Sequence, residues 1–143
     1  ASISCDYIPG CSLFFPTTAI LELGYLKEDY FMYFEETDWC LHAQTKSYSL
    51  MTVPSSVVFH HFNDAKMQAP FTVYYYNRNT LMFWYNFSDS TYKLFSWLKS
   101  LFIKIPQCLI AYVQAGDSVE KATFKSHILA HIHYVCFKKG KQL

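Results

Sequence analysis

Apolar residues along the chain follow two regimes. From Ile3 to Phe62 they come in short bursts cut by proline and glycine, and from Pro70 onward the pattern becomes helical. Ile3 to Phe15 is rich in β-formers and interrupted by Pro9-Gly10, which predicts two short strands, or a strand and a bend. Pro16-Thr17-Thr18 opens a short helix through Leu23, with Gly24 in position to stop it. After a loop over Tyr25 to Tyr30, a helix is predicted from Glu35 to Lys46. Ser49 to Val53 and Ser56 to Phe62 read as two strands around Pro54. A longer helix runs from Pro70 to Phe87, and Ser88-Asp89-Ser90 forms a break with N-cap character. Trp97 to Ile105 and Gln107 to Val113 are apolar helical segments divided by Pro106, and a last helix spans Val119 to Phe137. Leu94 to Val113 is nearly long enough to cross a bilayer. Lys99, Lys104 and Pro106 interrupt it, which argues against a span and leaves an interfacial helix pair open.

Phe31 to His42 reads Phe-Met-Tyr-Phe-Glu-Glu-Thr-Asp-Trp-Cys-Leu-His, an aromatic run that ends in three carboxylates. Aromatic neighbours and mutual repulsion both raise the cost of ionising Glu35, Glu36 and Asp38. A carboxylate that holds its proton more tightly than a surface group suits general-base work near neutral pH. The alternative is a helix with an acidic first turn at the positive end of its dipole. The motif alone leaves both open.

Composition sharpens the picture. The chain has 143 residues, enough for one compact domain with a real core. Only 16% of residues are charged against 52% hydrophobic and 20% aromatic, so disorder is excluded and part of the surface must be apolar. Such a surface faces a membrane or is covered by other protein. A net charge of +1 gives no electrostatic pull toward nucleic acid. The five cysteines are scattered with no C-x-x-C pair, which reads as reduced thiols in a cytoplasmic protein. No basic-then-apolar leader opens the sequence, and its abrupt strand-like beginning reads as a piece of something longer. His127, His131 and His133 have no acidic ligand nearby, so a polar helix face is favoured over a metal site.

Five motifs in order carry a resemblance. Asp6-Tyr7-Ile8-Pro9-Gly10-Cys11-Ser12, Glu22-Leu23-Gly24, the Phe31 to Cys40 run, Val53-Pro54 with Val57-Val58-Phe59-His60, and Tyr76-Asn77-Arg78-Asn79 together resemble the C-terminal half of family-2 glycosyltransferases. The bacterial rhamnosyltransferase-like group that builds surface polysaccharides is the most similar. The resemblance covers residues 3 to 88. It implies an α/β fold, the acceptor-side half of a GT-A (Rossmann-like) domain over residues 1–88, followed by a helical extension over 89–143.

The resemblance also implies a chemistry: an inverting transfer from a nucleotide-sugar donor to a saccharide or lipid-linked acceptor. Glu36 takes the position of the catalytic base, where the family usually has aspartate, and Asp38 matches the next acid. The arginine that commonly follows is replaced by His42. Gly10, Cys11 and Ser12 match a segment lining the acceptor pocket, Trp39 could stack on a sugar, and Arg78 is set between an acceptor contact and a salt bridge. His60 matches a histidine that helps hold a divalent metal in some relatives. That metal, Mg or Mn, is expected in a full-length enzyme, but these residues alone contain no D-x-D and are expected to bind none. The expected partners are therefore the donor, the acceptor and an N-terminal half of the same protein. The location expected is the cytoplasm, with peripheral contact at the inner face of the membrane or homodimerisation left open for the tail. The competing reading is a non-catalytic carbohydrate- or membrane-associated module whose acids are structural.

Overall fold

The computed structural model describes residues 2–61 and 69–143, and in it the chain is mostly helical. In chain order it forms strand β1 (Ile3–Ser4), a 3₁₀ turn (Gly10–Ser12), helices α1 (Thr17–Leu23) and α2 (Glu35–Thr45), and strand β2 (Met51–Thr52). Then follow α3 (Pro70–Phe87), α4 (Ser90–Lys99), a π-helical turn (Ser100–Lys104), α5 (Ile105–Gln114) and α6 (Ser118–Val135).

The expected α/β, Rossmann-like architecture is not what these residues build. Among the described residues the sheet is one antiparallel pair, with Ile3 opposite Thr52 and Ser4 opposite Met51. Proline explains the shortfall. Beyond the pair, Cys5 N–H still reaches the Leu50 carbonyl, but Pro9 then leads into the 3₁₀ turn. At the other strand, Ser56 N–H bonds the Val53 carbonyl at 2.9 Å and closes a turn around Pro54. The chain thereby leaves the ladder, so Val57, Val58 and Phe59 remain exposed and unpaired instead of extending a strand. Phe62, the expected end of that strand, lies outside the described residues.

The helices form where local chemistry asks for them. Gly24 ends α1 at φ +78° with its N–H on the Ile20 carbonyl. Pro70 occupies the first turn of α3. The Asp89 side chain accepts from Tyr92 N–H to cap α4, and Asp117 accepts from Val119 and Glu120 N–H to cap α6. Pro106 was expected to divide two segments, yet the helix runs through it. Its ring would collide with the carbonyl four residues back, and the wide π turn immediately before it provides the slack.

Three clusters make the core. Ala19, Leu23, Trp39, Cys40, Ala43 and Leu50 join α1, α2 and the strand pair. Tyr74, Tyr75 and Ala130 join α3 to α6. Met82, Phe83 and Tyr134 close around Tyr30, which comes from the loop before α2. That loop is thus clamped between the two halves of the molecule, and it delivers the acidic motif.

Candidate acceptor cleft

The loop into α2 is strained. Phe31, Tyr33 and Phe34 have φ of 65°, 68° and 76°, a left-handed region that costs bulky residues of order 1 kcal/mol or more each. Phe34 is also the N-cap residue of α2 and supplies no capping side chain. Helix α3 holds this conformation from below. Asn79 Nδ2 donates to the carbonyls of Tyr30 (2.9 Å), Met32 (2.6 Å) and Tyr33 (3.0 Å). The Arg78 guanidinium donates to Tyr30 O (2.9 Å), Asp29 O (3.2 Å) and Gly140 O (2.7 Å), and its Nε to Asn79 Oδ1 (2.9 Å). Both side chains are fully buried. Carbonyls that the twisted loop cannot spend on regular structure are satisfied this way, which is what lets three large aromatic residues remain left-handed.

The strained entry sets the rotational phase of α2 and turns Glu35 and Glu36 toward a cleft. This cleft, of about 540 Å³, is lined by Tyr7, Pro9, Gly10, Cys11, Leu13, Phe15, Leu26, Met32, Tyr33, both glutamates and His60. Tyr7 OH donates to Glu36 Oε1 at 2.8 Å, while Glu36 Oε2 is buried with no hydrogen-bond partner. Glu35 Oε2 is likewise buried and unpartnered. Burial raises the Glu35 carboxyl above its ordinary 4.5, with the neighbouring Glu36 charge adding to it. Burial also raises the Tyr7 phenol, and its bond to Glu36 pushes the same way, so Tyr7 stays protonated as a donor. Gly10 sits against the Glu36 stem, where an added Cβ would lie 3.4 Å from Glu36 Cγ.

The remaining candidate residues lie elsewhere. Asp38 is buried in an ion pair with Lys27 Nζ (2.7 Å) and accepts from Tyr30 OH (2.8 Å), so it braces the loop from the far side of α2. Trp39 is a core residue: its indole packs on Phe15 with ring centroids 4.7 Å apart, and Nε1 donates to Gly24 O at 2.9 Å. Ser12 is exposed on the 3₁₀ turn and does not line the cleft. Arg78 does not line it either. The structure therefore gathers Gly10, Cys11, Glu36 and His60, and sets Ser12, Asp38, Trp39 and Arg78 apart.

For a divalent cation the donor set does not fit: among the described residues no three His, Cys, Asp or Glu side chains converge. No family model matches the chain, and no curated protein or solved structure matches it either. Sequence reasoning assigned no role to Tyr7 or Asn79, although both stand inside the quoted motifs. Their part depends on contacts to residues 29 and 46 or more positions away, which no local pattern shows.

Proposed function

We propose that this chain supplies the acceptor-binding, base-bearing part of an inverting glycosyltransferase, with Glu36 as the base. The observation that carries the reading is Glu36 itself, a cleft-lining carboxylate held through Oε1 by Tyr7 while its buried Oε2 has no hydrogen-bond partner. A base must keep one lone pair free within reach of the proton it takes, and an anchored second oxygen fixes its aim. The cleft also suits a neutral hydroxyl compound. Among the described residues no lysine or arginine lines it, two carboxylates would repel a phosphate, and Tyr7, Phe15 and Tyr33 offer apolar ring surface for the faces of a sugar.

In the reaction the acceptor hydroxyl oxygen attacks the anomeric carbon of the donor from the side opposite the nucleotide diphosphate. The new glycosidic C–O bond forms as the old C–O bond to phosphate breaks. The diphosphate leaves with the electron pair, and the hydroxyl proton passes to Glu36 Oε2. Donor binding falls to parts of the enzyme outside this cleft.

The test is a panel of nucleotide sugars offered to the full-length protein with saccharide and lipid-linked acceptors, with the anomeric configuration of the product read by NMR. Transfer with inversion is expected. Retention of configuration, or no transfer to any acceptor by a folded full-length protein, overturns the proposal in favour of a non-catalytic module with structural acids.

A further inference from the structure

The helix that runs from Ser90 through the π turn to Gln114 is built inside out. The two buried residues of its inward face, Ser96 and Ser100, are small and polar. Ser96 Oγ and Tyr134 OH share a hydrogen bond of 2.7 Å, Ser100 Oγ pairs with His131 Nδ1 at 3.2 Å, and Trp97 Nε1 donates to Val135 O at 3.1 Å. Its outward face is large and apolar. Phe95, Phe102, Leu109, Ile110 and Val113 are between 47% and 79% exposed. In a helix of a water-soluble globule these faces would be exchanged. Small, hydrogen-bonding residues between helices with large apolar ones outside are the arrangement of helices that meet hydrocarbon. By length and composition this helix could cross a membrane.

Charge decides what covers the face. Between Ser90 and Gln114 stand Lys93, Lys99 and Lys104 and no acid. Across residues 90 to 143 eight lysines face two acids, a net +6, whereas residues 1 to 89 hold four basic and nine acidic residues, a net −5. A second copy docked by two-fold symmetry would set like-charged rims against each other. Anionic lipid headgroups would neutralise them. Lys99 and Lys104 also fall near the middle of the helix, where a span would drive both into the hydrocarbon centre, which a helix lying in the surface avoids.

We infer that the Ser90–Gln114 helix is a docking surface for an anionic bilayer, seated in the plane of the headgroups with its apolar face in the acyl boundary. Glycosyl transfer is not needed for this inference, and the readout is independent of activity.

The test is flotation of the 143-residue chain with vesicles of phosphatidylcholine alone or mixed with phosphatidylserine, at low and high salt. Flotation is expected with the anionic vesicles, reduced by salt and weak with phosphatidylcholine alone. Phe102→Glu combined with Val113→Glu, two exposed changes, should abolish flotation while the helical circular dichroism is kept. Lys99→Glu, which reverses a charge beside Phe95 and removes no large apolar side chain, should weaken binding to anionic vesicles more than to phosphatidylcholine. No flotation with either vesicle, or undiminished flotation of the double variant, overturns the inference. So does a dimer in solution that the double variant converts to monomer, since a second copy would then cover the face. Resistance of the bound chain to alkaline extraction would mean a span and would overturn the in-plane seating.

Discussion

At the scale of single residues, the acidic motif separates into three roles by helical phase. Successive positions on α2 are about 100° apart, so Asp38 lies about 200° round the helix from Glu36 and cannot share its side. Glu36 is anchored by Tyr7, Glu35 is half-buried beside it, and Asp38 is buried in a pair with Lys27. The sequence shows that acids gather here, but not which of them faces the cleft, because that phase is fixed by left-handed Phe34. Glu35 gives the first prediction. Its raised folded value means that stability belonging to the protonated form is present below pH 4.5 and is lost as pH rises through the raised value. Glu35→Gln should therefore be more stable than the parent at pH 7 in urea titrations, with the gap closing toward pH 4. An equal gap at both pH values would show that Glu35 carries no burial penalty. Asn79 gives the second. Asn79→Ala leaves the Met32 and Tyr33 carbonyls short of a donor, with Tyr30 O still held by Arg78, and should cost about 1–3 kcal/mol in the same titration. A loss of under about 0.5 kcal/mol would mean that the loop holds its left-handed form unaided.

At the scale of elements, helices were legible, and strands only in part: Ile3–Ser4 and Met51–Thr52 form inside their expected segments, but Val57 to Phe59 does not. The caps at Asp89 and Asp117, the stop at Gly24 and the start at Pro70 are local signals that act within one turn, and each element forms where its signal stands. Strands need partners. Val57 to Phe59 has strand-forming residues, but the turn at Pro54 carries the segment away from any neighbour, so propensity alone builds nothing. Arg78 failed as a sequence signal for a related reason: a charged residue is expected in water, and this one is buried because loop carbonyls surround it. The packing of α6 on α4 and the π turn adds a pH prediction. Burial, with His127 and Lys104 nearby, lowers His131 to about 4 from an ordinary 6.5. Its neutral form thus supports the fold fully above pH 6.5, and this support is lost as pH falls from 6.5 toward 4. Trp97 fluorescence should report loosening of this contact over that window, and His131→Gln should flatten the change. The same acid transition in both proteins would place the titrating group elsewhere.

At the scale of the whole molecule, an acidic N-terminal part carrying the cleft is joined to a basic helical part with an apolar face. The apolar surface was legible from the low charged content, and its division of charge is what gives it direction. A Rossmann-like sheet was not available to these residues: the two described strands are two residues long, and a parallel sheet needs long crossovers between strands. Because among the described residues the cleft offers a diphosphate no lysine or arginine, calorimetry of the 143-residue chain should show no tight binding of a nucleotide sugar with or without Mg or Mn. Tight metal-dependent binding would contradict that.

The central claim is that the free oxygen of Glu36 takes the acceptor proton. Glu36→Gln keeps the shape and the contact with Tyr7 but cannot accept a proton. Measured in the full-length protein, it should lower kcat of the proposed transfer by about 10² to 10⁴-fold with donor affinity unchanged. Unchanged kcat in Glu36→Gln would contradict the account and remove Glu36 from the mechanism.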